Sequence, residues 1–404
     1  MGETGLNLTV VREMRSFLRI RGSWKLFAIM LAYGCAQGIL KPMNAIYLSN
    51  HVGLDKLQVS ILVSISLLTD MTVTLGTGYL SDRVKHKRTL MMVASILCII
   101  GLVWYLRADS FWTALGAMIV ATSPAGVIMG QLFSVARQHF TMEAREIAEI
   151  ALVWLRAMMS FGFFVGLLLG AQLFTAVSFA GVLYGNLTFY AVIFLLLLGY
   201  KERTSDYHPA PKSAVPFQWL AIIGLLVLLC GDAIRGLYFP LVVDSLFHNP
   251  ALVSRLWSLQ AIFELVWMTV AGYAAARYGT LRIIKIAAVF GLFVYAVYAL
   301  HPTLPWLFAM QPIHSFYVSV LYSVGMAYVQ RMFLNRTGFG SSLYLFLSQT
   351  ASLIGYLVPN LVPGYSPHIF LVPAALVLVA LTIFWFLARR NSNYHVSAQV
   401  NEAT

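Results

Sequence analysis

Long apolar runs alternate with short polar connections along almost the whole chain. Each run is about 20 residues long, the length of an α-helix that crosses a membrane. The pattern predicts twelve such helices, six on each side of a polar segment that contains Pro209, Pro211 and Pro216. The predicted spans are 26–48, 57–80, 89–106, 111–135, 149–173, 177–200, 219–243, 256–276, 283–300, 306–329, 339–360 and 369–388. We therefore expect an all-α polytopic membrane protein.

The polar segments divide the chain into five parts. Residues 1–25 are basic, and their apolar positions predict an amphipathic head on the cytoplasmic membrane surface. We expect no cleaved signal peptide, because no short apolar region with a cleavage site follows. The remaining parts are an N-terminal six-helix half at 26–200, a cytoplasmic linker at 201–218, a C-terminal six-helix half at 219–390 and a cytoplasmic tail at 391–404.

The two halves carry related sequences. The segment Gly78–Arg88 recurs, 194 residues later, as Gly272–Arg282, with Gly, Tyr and Arg at matching positions. In the same register, Asp70 in the first half is matched by Glu264 in the second. Internal duplication in a polytopic protein is typical of transporters. We therefore expect two pseudo-symmetric halves around a central cavity.

Composition and charge agree with a membrane environment. Hydrophobic residues make up 60% of the chain and charged residues only 10%, against about 25% charge in soluble domains. Of the 27 Lys and Arg residues, 21 lie in segments predicted to be cytoplasmic and three in the opposite loops. The positive-inside rule then places both termini in the cytoplasm. This distribution accounts for the net charge of +12 without a nucleic-acid partner. The three cysteines lie in apolar runs, which fits neither a disulfide framework nor a metal site.

The charged loop of the first half resembles a known feature. Gly78-x-x-x-Asp82-Arg83, followed by a basic cluster, is similar to the loop between spans two and three of the major facilitator superfamily. The resemblance implies that Asp82 closes the cytoplasmic side together with an arginine at the end of span four, here Arg137. The second copy has Ala276 in place of the acid, so we expect the stronger lock in the first half. The predicted gating residues are Gly78, Asp82, Arg83, Arg137, Gly272 and Arg277.

Further segments, in both halves, resemble the bacterial sugar efflux transporter family. They are residues 131–137, 144–146, 263–264 with 271–273, and 325–330. The resemblance implies the major facilitator fold and the export of sugars or glycosides across the inner membrane, in exchange for protons. The partners we expect are a small-molecule substrate, protons and membrane lipid. We expect no cofactor, and a monomeric protein.

Two acidic residues lie deep in the predicted spans. Asp70 and Glu264 are each twelve residues from the neighbouring cytoplasmic loop, about 18 Å along a helix and so near the middle of a hydrocarbon core about 30 Å thick. Desolvation at that depth favours the neutral acid, which can exchange a proton when its access changes. We predict that both residues couple transport to protons. The alternative is that each is permanently neutral and helps helices to pack.

Other charged residues within the spans are candidates for substrate binding. Asp232 and Arg235 lie three residues apart and share a helical face. Either they form an internal ion pair, in which Arg235 holds Asp232 ionised, or they bind substrate hydroxyls. Arg156 needs a carboxylate or a cavity, because an unpaired charge within a span is costly. Asp70 is the candidate carboxylate.

Span eight carries a stripe of residues suited to sugars. Trp257, Gln260, Glu264 and Trp267 share a helical face. Their polar groups could satisfy hydroxyls, and their aromatic faces could cover the apolar side of a sugar ring. The tryptophans could instead be interface anchors or packing residues. Further substrate-binding candidates, each with a structural alternative, are Gln37, Lys41 and Asn44 on one face of span one, His314 in span ten and Gln349 in span eleven.

Span five contains a repeated small-residue pattern. Gly162, Gly166 and Gly170 are spaced four residues apart, which predicts close packing against another helix. The pattern also resembles the glycine-rich span-five motif of exporters in the superfamily, although Leu167 stands where those exporters have proline.

Rival functions remain open at this point. Aromatic residues at 14% and 16 methionines would suit the adaptable pocket of a multidrug or small-amphiphile exporter. A membrane-embedded enzyme is not expected, because no metal cluster or nucleophile–base pair occurs at motif spacing. ATP drive within the chain is not expected either, because no P-loop is present.

Overall fold

The computed structural model describes residues 22–81, 87–143, 148–202, 217–300, 303–332 and 337–402. Within these ranges the chain is helical and contains no β-strand. The first six helices are α1 (Ser23–Ile46), α2 (Lys56–Ser81), α3 (Lys87–Tyr105), α4 (Phe111–Glu143), α5 (Ala148–Val177) and α6 (Phe179–Leu198). The others are α7 (Trp219–Phe247), α8 (Ala251–Tyr278), α9 (Thr280–Ala299), α10a (Leu304–Ser319), α10b (Met326–Met332), α11 (Thr337–Leu357) and α12 (Leu371–Glu402). The predicted all-α fold is confirmed.

Ten of the predicted spans coincide with helices that are long and apolar enough to cross a membrane. The other two predicted spans, 306–329 and 339–360, contain α10a with α10b, and α11. Among the described residues, two short π-helical turns interrupt the regular geometry: Tyr47–His51 follows α1, and Val320–Gly325 joins α10a to α10b. Such turns are rare and often lie at functional sites.

The described helices form two compact units. Unit 1 contains α1 to α6 and the first turns of α8, residues 250–258. Unit 2 contains α7, the rest of α8 and α9 to α12.

The core of unit 1 is organised around the contact between α1 and α5. A Cβ atom placed on Gly162 would collide with the carbonyl oxygen of Leu31, and one on Gly166 with that of Cys35. From the other side, Gly34 and Gly38 of α1 face the backbone of α5 just as closely. Each helix therefore presents glycine where the other presents backbone. This confirms the close packing predicted from the glycines of span five.

Unit 2 uses a related contact between α7 and α11. A Cβ atom on Gly355 of α11 would lie 2.9 Å from the carbonyl oxygen of Cys230 in α7. Aromatic residues fill the core beside it, where the ring of Tyr298 lies 5.3 Å from Phe370 and 5.1 Å from Phe239. All three cysteines of the chain, Cys35, Cys98 and Cys230, are free thiols buried between helices, with exposures of 3%, 0% and 4%.

Candidate functional site

Asp70 lies on α2 of unit 1 and receives two hydrogen bonds from α4. Thr122 Oγ1 donates to Asp70 Oδ1 at 3.2 Å, and Ser123 Oγ donates to the same oxygen at 2.5 Å. Asp70 is half-buried. A hydroxyl group can donate to a carboxylate or accept from a carboxylic acid. These two hydroxyls can therefore form hydrogen bonds with Asp70 in either of its protonation states; neither was predicted from the sequence.

Arg156 lies on α5 of unit 1, with an exposed side chain. The predicted pairing of Arg156 with Asp70 remains a prediction.

The polar face of α1 is held by tyrosines within unit 1. Gln37 Nε2 donates to the hydroxyl of Tyr190 at 3.2 Å. Asn44 Oδ1 accepts from the hydroxyl of Tyr105 at 2.9 Å. Both amides are half-buried, whereas Lys41, one turn from each, is exposed. The tyrosines fix the amide orientations, so this face is pre-organised for hydrogen bonding.

In unit 2, a buried polar network surrounds Arg235 on α7. Its side chain is 4% exposed. Its Nη2 donates to Gln311 Oε1 at 2.8 Å, and its guanidinium lies over the ring of Phe239 at 4.7 Å. Gln311, on α10a, is itself fixed, because its Nε2 donates to Tyr298 Oη and to the Leu307 carbonyl, both at 2.9 Å. The guanidinium is thus held by neighbours whose own positions are set.

Asp232, one turn before Arg235 on α7, is the more accessible of the two, with 14% of its side chain exposed. Tyr322 Oη donates to Asp232 Oδ2 at 2.9 Å. His314 Nε2 lies 3.8 Å from Asp232 Oδ1. Tyr322 belongs to the π-helical turn Val320–Gly325 between α10a and α10b, which places this phenol beside the carboxylate. The structure thus brings together three predicted residues, Asp232, Arg235 and His314, and adds Gln311 and Tyr322.

The predicted stripe on α8 packs against α10a. Trp267 Nε1 donates to the Pro312 carbonyl at 3.1 Å, and the Trp267 ring lies 5.2 Å from that of Phe316. The carbonyl oxygens of Gln260 and Glu264 accept hydrogen bonds from Ser315 and Ser319 of α10a, respectively. The indole of Trp267 is therefore engaged in helix packing. Of the other candidates, Trp257 is buried. Gln260 and Glu264 of α8 and Gln349 of α11 are half-buried.

Of the predicted gating residues, Asp82 and Arg83 lie outside the described residues. Gly78 lies in α2, and Arg137 is an exposed residue of α4. Gly272 and Arg277 are exposed on α8, and the guanidinium of Arg277 lies 5.4 Å from the ring centre of Tyr278.

A polar cluster that the sequence did not predict joins the start of α3 to the end of α6. The carboxylate of Glu202 accepts from the backbone N–H groups of Lys87 and Arg88, each at 3.0 Å. The Arg88 side chain donates to the carbonyls of Leu197 and Leu198 at 2.7 and 2.9 Å. A negative charge at a helix N-terminus and a positive charge at a C-terminus both match the helix dipole. Each helix end therefore receives the charge that stabilises it.

Side chains of α1 and α4 extend this cluster. Lys87 Nζ donates to Ser134 Oγ at 2.6 Å. Tyr200 Oη and His139 Nδ1 lie 3.1 Å apart, and Lys25 Nζ donates to the Gly199 carbonyl. Four helices of unit 1, α1, α3, α4 and α6, thus contribute to this cluster.

Comparisons with known proteins agree with this architecture. The sequence model of the Major Facilitator Superfamily matches residues 26–242. "Sugar efflux transporter A" of Escherichia coli K12 is 22% identical over 387 residues, which cover 93% of this chain and 97% of that protein. A protein of Deinococcus radiodurans is 25% identical over 379 residues, which cover 89% of this chain and 96% of that protein.

Solved structures show the same fold. The crystal structure of a variant of the nucleoside transporter NupG superposes with a TM-score of 0.77 at 13% identity. The match covers 90% of this chain and 99% of the NupG chain. At that identity the likeness concerns the fold alone.

Proposed function

Because the chain belongs to the Major Facilitator Superfamily, whose sequence model covers more than half of it, we propose that this multi-pass membrane transporter exports sugars or glycosides in exchange for protons. Its relatives named as sugar efflux transporters match it over nearly the whole length of both chains. The proposed site of action is the inner membrane, with both termini in the cytoplasm, as the distribution of Lys and Arg favours.

The observation that carries the proposal is the polar network of unit 2. One of its half-buried members, Asp232, can accept hydrogen bonds from sugar hydroxyls. Arg235 and Gln311 are held in place beside it. A polyhydroxylated solute must exchange many hydrogen bonds with water for hydrogen bonds with protein, because each unpaired polar group costs free energy. Asp232 and Tyr322, which are half-buried, offer a carboxylate and a phenol for such bonds, while the buried Arg235 and Gln311 supply fixed polar groups beside them. A drug pocket relies instead on apolar and aromatic surface.

Protons are the proposed driving ion, with Asp70 and Glu264 as carriers. Asp70 has hydroxyl partners that suit both of its protonation states. Antiport requires that such a group be neutral in one conformation and ionised in another. We further propose that Asp82 and Arg137 close the cytoplasmic side, and that the cluster around Glu202 holds the neighbouring helix ends in place.

Reconstituted vesicles test the proposal directly. The purified protein would be placed in liposomes with an acidic lumen, and uptake of labelled glucose, maltose and methyl-β-glucopyranoside would be followed. For an antiporter, protons that leave the lumen drive the sugar in, whereas a symporter needs the acid outside. Accumulation of at least one sugar that collapses with a protonophore supports the proposal. Accumulation of a cationic dye with none of these sugars would favour a multidrug exporter instead.

A further inference from the structure

His314 is a fully buried histidine without a hydrogen bond. Its exposure is 0%. Neither ring nitrogen has a hydrogen-bond partner among the residues that the structure describes. Two tyrosine rings, those of Tyr295 and Tyr317, each lie with their centre 5.8 Å from the imidazole. Buried polar atoms nearly always find a partner, so an exception in a protein core calls for an explanation.

A carboxylate oxygen lies close to His314 but beyond hydrogen-bond distance. His314 Nε2 lies 3.8 Å from Asp232 Oδ1. A charge-assisted hydrogen bond between such groups is about 2.7–2.9 Å long, so the gap exceeds bonding distance by about 1 Å. The two groups lie on different helices, α10a and α7, and the π-helical turn Val320–Gly325 directly follows α10a, the helix of His314. A small shift of α10a along α7 would close the gap.

We propose that His314 and Asp232 form a proton-binding pair in which His314 holds the proton and Asp232 supplies the balancing charge. This inference rests on the proposed function and adds a proton site to Glu264 in unit 2. When His314 takes up a proton at Nε2, the imidazolium donates to Asp232 Oδ1 and the gap closes. When the proton leaves, neutral His314 returns to the unbonded position seen in the structure.

The pair also explains how sugar and proton would compete. Asp232 is the accessible member of the network, and a sugar hydroxyl that donates to it weakens its hold on the imidazolium. The proton is then released as the sugar binds, which is the thermodynamic condition for antiport. Proton and sugar would therefore exclude each other through one carboxylate.

The charged groups around His314 determine when it can take up a proton. Arg235 is the positive charge nearby, and it opposes a second positive charge on His314 unless Asp232 is ionised. A neutral Asp232 would thus leave His314 neutral as well. Other titratable groups on the helices around His314 include Cys230 of α7, Tyr295 and Tyr298 of α9, Tyr317 of α10a, Tyr322 of the π-helical turn, Tyr344 of α11 and Glu264 of α8, whose carbonyl accepts from Ser319 of α10a.

The test compares His314→Gln with wild type in the vesicle assay, using whichever of the three sugars wild type accumulates best. Glutamine keeps a polar side chain but cannot carry the proton. We expect loss of accumulation driven by the pH gradient, while sugar exchange at equal pH persists. His248→Asn is the matched control: His248 is exposed and outside the network, and its left-handed backbone suits asparagine. It should accumulate sugar as wild type does.

A second measurement follows protons rather than sugar. Adding the same sugar to purified wild type in weak buffer should release protons, and His314→Gln should release fewer. If His314→Gln does not fold, Asp232→Asn keeps the histidine and removes its counter-charge, so it should release fewer protons than wild type even at a sugar concentration that saturates the variant. Full accumulation and unchanged proton release in these variants would overturn the inference while leaving proton antiport intact. A wild type that accumulates no sugar under either pH gradient would overturn both.

Discussion

The side chain of Glu202 caps the helix that begins at Lys87: its Oε1 accepts from the Lys87 backbone N–H at 3.0 Å. The two residues are 115 positions apart. The first N–H groups of any helix lack partners within the helix, and a distant carboxylate supplies one here. The cap also ties the chain that leaves α6 to the helix that follows the charged loop.

Replacement of Glu202 by alanine should lower stability. The change removes the acceptor for two backbone N–H groups and a negative charge at a helix N-terminus, which together should cost about 1–2 kcal/mol. Thermal unfolding of the purified protein would report this as a lower midpoint. Lys201→Gln is the control, because it changes one charge on the adjacent exposed residue. Equal midpoints for Glu202→Ala and Lys201→Gln would show that the cap is not important for stability.

Gly166→Ala should destabilise unit 1. A methyl group at this position meets the backbone of α1, which cannot rotate away as a side chain could. Overpacking of this kind costs about 1–3 kcal/mol. Gly130→Ala provides the matched control, because no atom lies within 4 Å of a Cβ placed there. Alanine favours helix over glycine, so Gly130→Ala should leave the unfolding midpoint unchanged or raise it. A harmless Gly166→Ala would mean that α1 and α5 can separate freely.

Asp70→Asn and Glu264→Gln should each abolish sugar accumulation driven by a pH gradient and leave exchange at equal pH. Exchange needs only the binding site and the conformational change, whereas coupling needs a group that gains and loses a proton. Vesicles with labelled sugar report both activities in one preparation. If Glu264→Gln still accumulates sugar while His314→Gln does not, the proton site of unit 2 is His314 alone. Retention of accumulation in both Asp70→Asn and Glu264→Gln would exclude them as carriers.

Ser123→Ala should lower the stability of the protein, because Ser123 donates a hydrogen bond to Asp70. Loss of the hydroxyl removes a hydrogen bond to a half-buried carboxylate, worth about 1–3 kcal/mol. In a double-mutant cycle with Asp70→Asn, measured by thermal unfolding, the two changes should be non-additive by more than about 0.5 kcal/mol. Ser95→Ala is the control, because Ser95 donates to its own helix at Met91.

The same cycle with Arg156→Gln tests the pairing predicted from sequence. Non-additivity between Arg156→Gln and Asp70→Asn would support a direct contact. Strict additivity between Arg156→Gln and Asp70→Asn, together with clear coupling between Asp70 and Ser123, would indicate that Asp70 interacts with α4 and that Arg156 has another partner.

Hydrophobic periodicity was sufficient to predict the helices, because each must be apolar along its whole length to lie in lipid. It could not predict the π-helical turn Val320–Gly325, since the turn changes the hydrogen-bond ladder and not the polarity. It also placed the end of span four at residue 135, whereas α4 continues to Glu143. The additional turns are polar, so only their contacts indicate that they are helical.

The residues of the candidate site could be predicted from the sequence only in part. A charged residue within an apolar run is conspicuous, which led to Asp70, Asp232, Arg235 and Glu264. The partners that orient them are neutral and common, such as Ser123, Gln311 and Tyr322. Their roles depend on which helices pack together, and a single sequence carries no signal for that. Glu202 was missed because it lies in a polar segment where charge is expected.

The burial of the cysteines described above has a practical consequence. Cys35, Cys98 and Cys230 lie between packed helices, and no other cysteine occurs in the chain. A maleimide probe should therefore react slowly with the native protein and rapidly with a cysteine introduced on an exposed residue, such as Lys201 in unit 1 or His248 in unit 2. Fluorescent or spin labels could then follow the movement of each unit during transport in an otherwise natural chain, without first removing the native thiols.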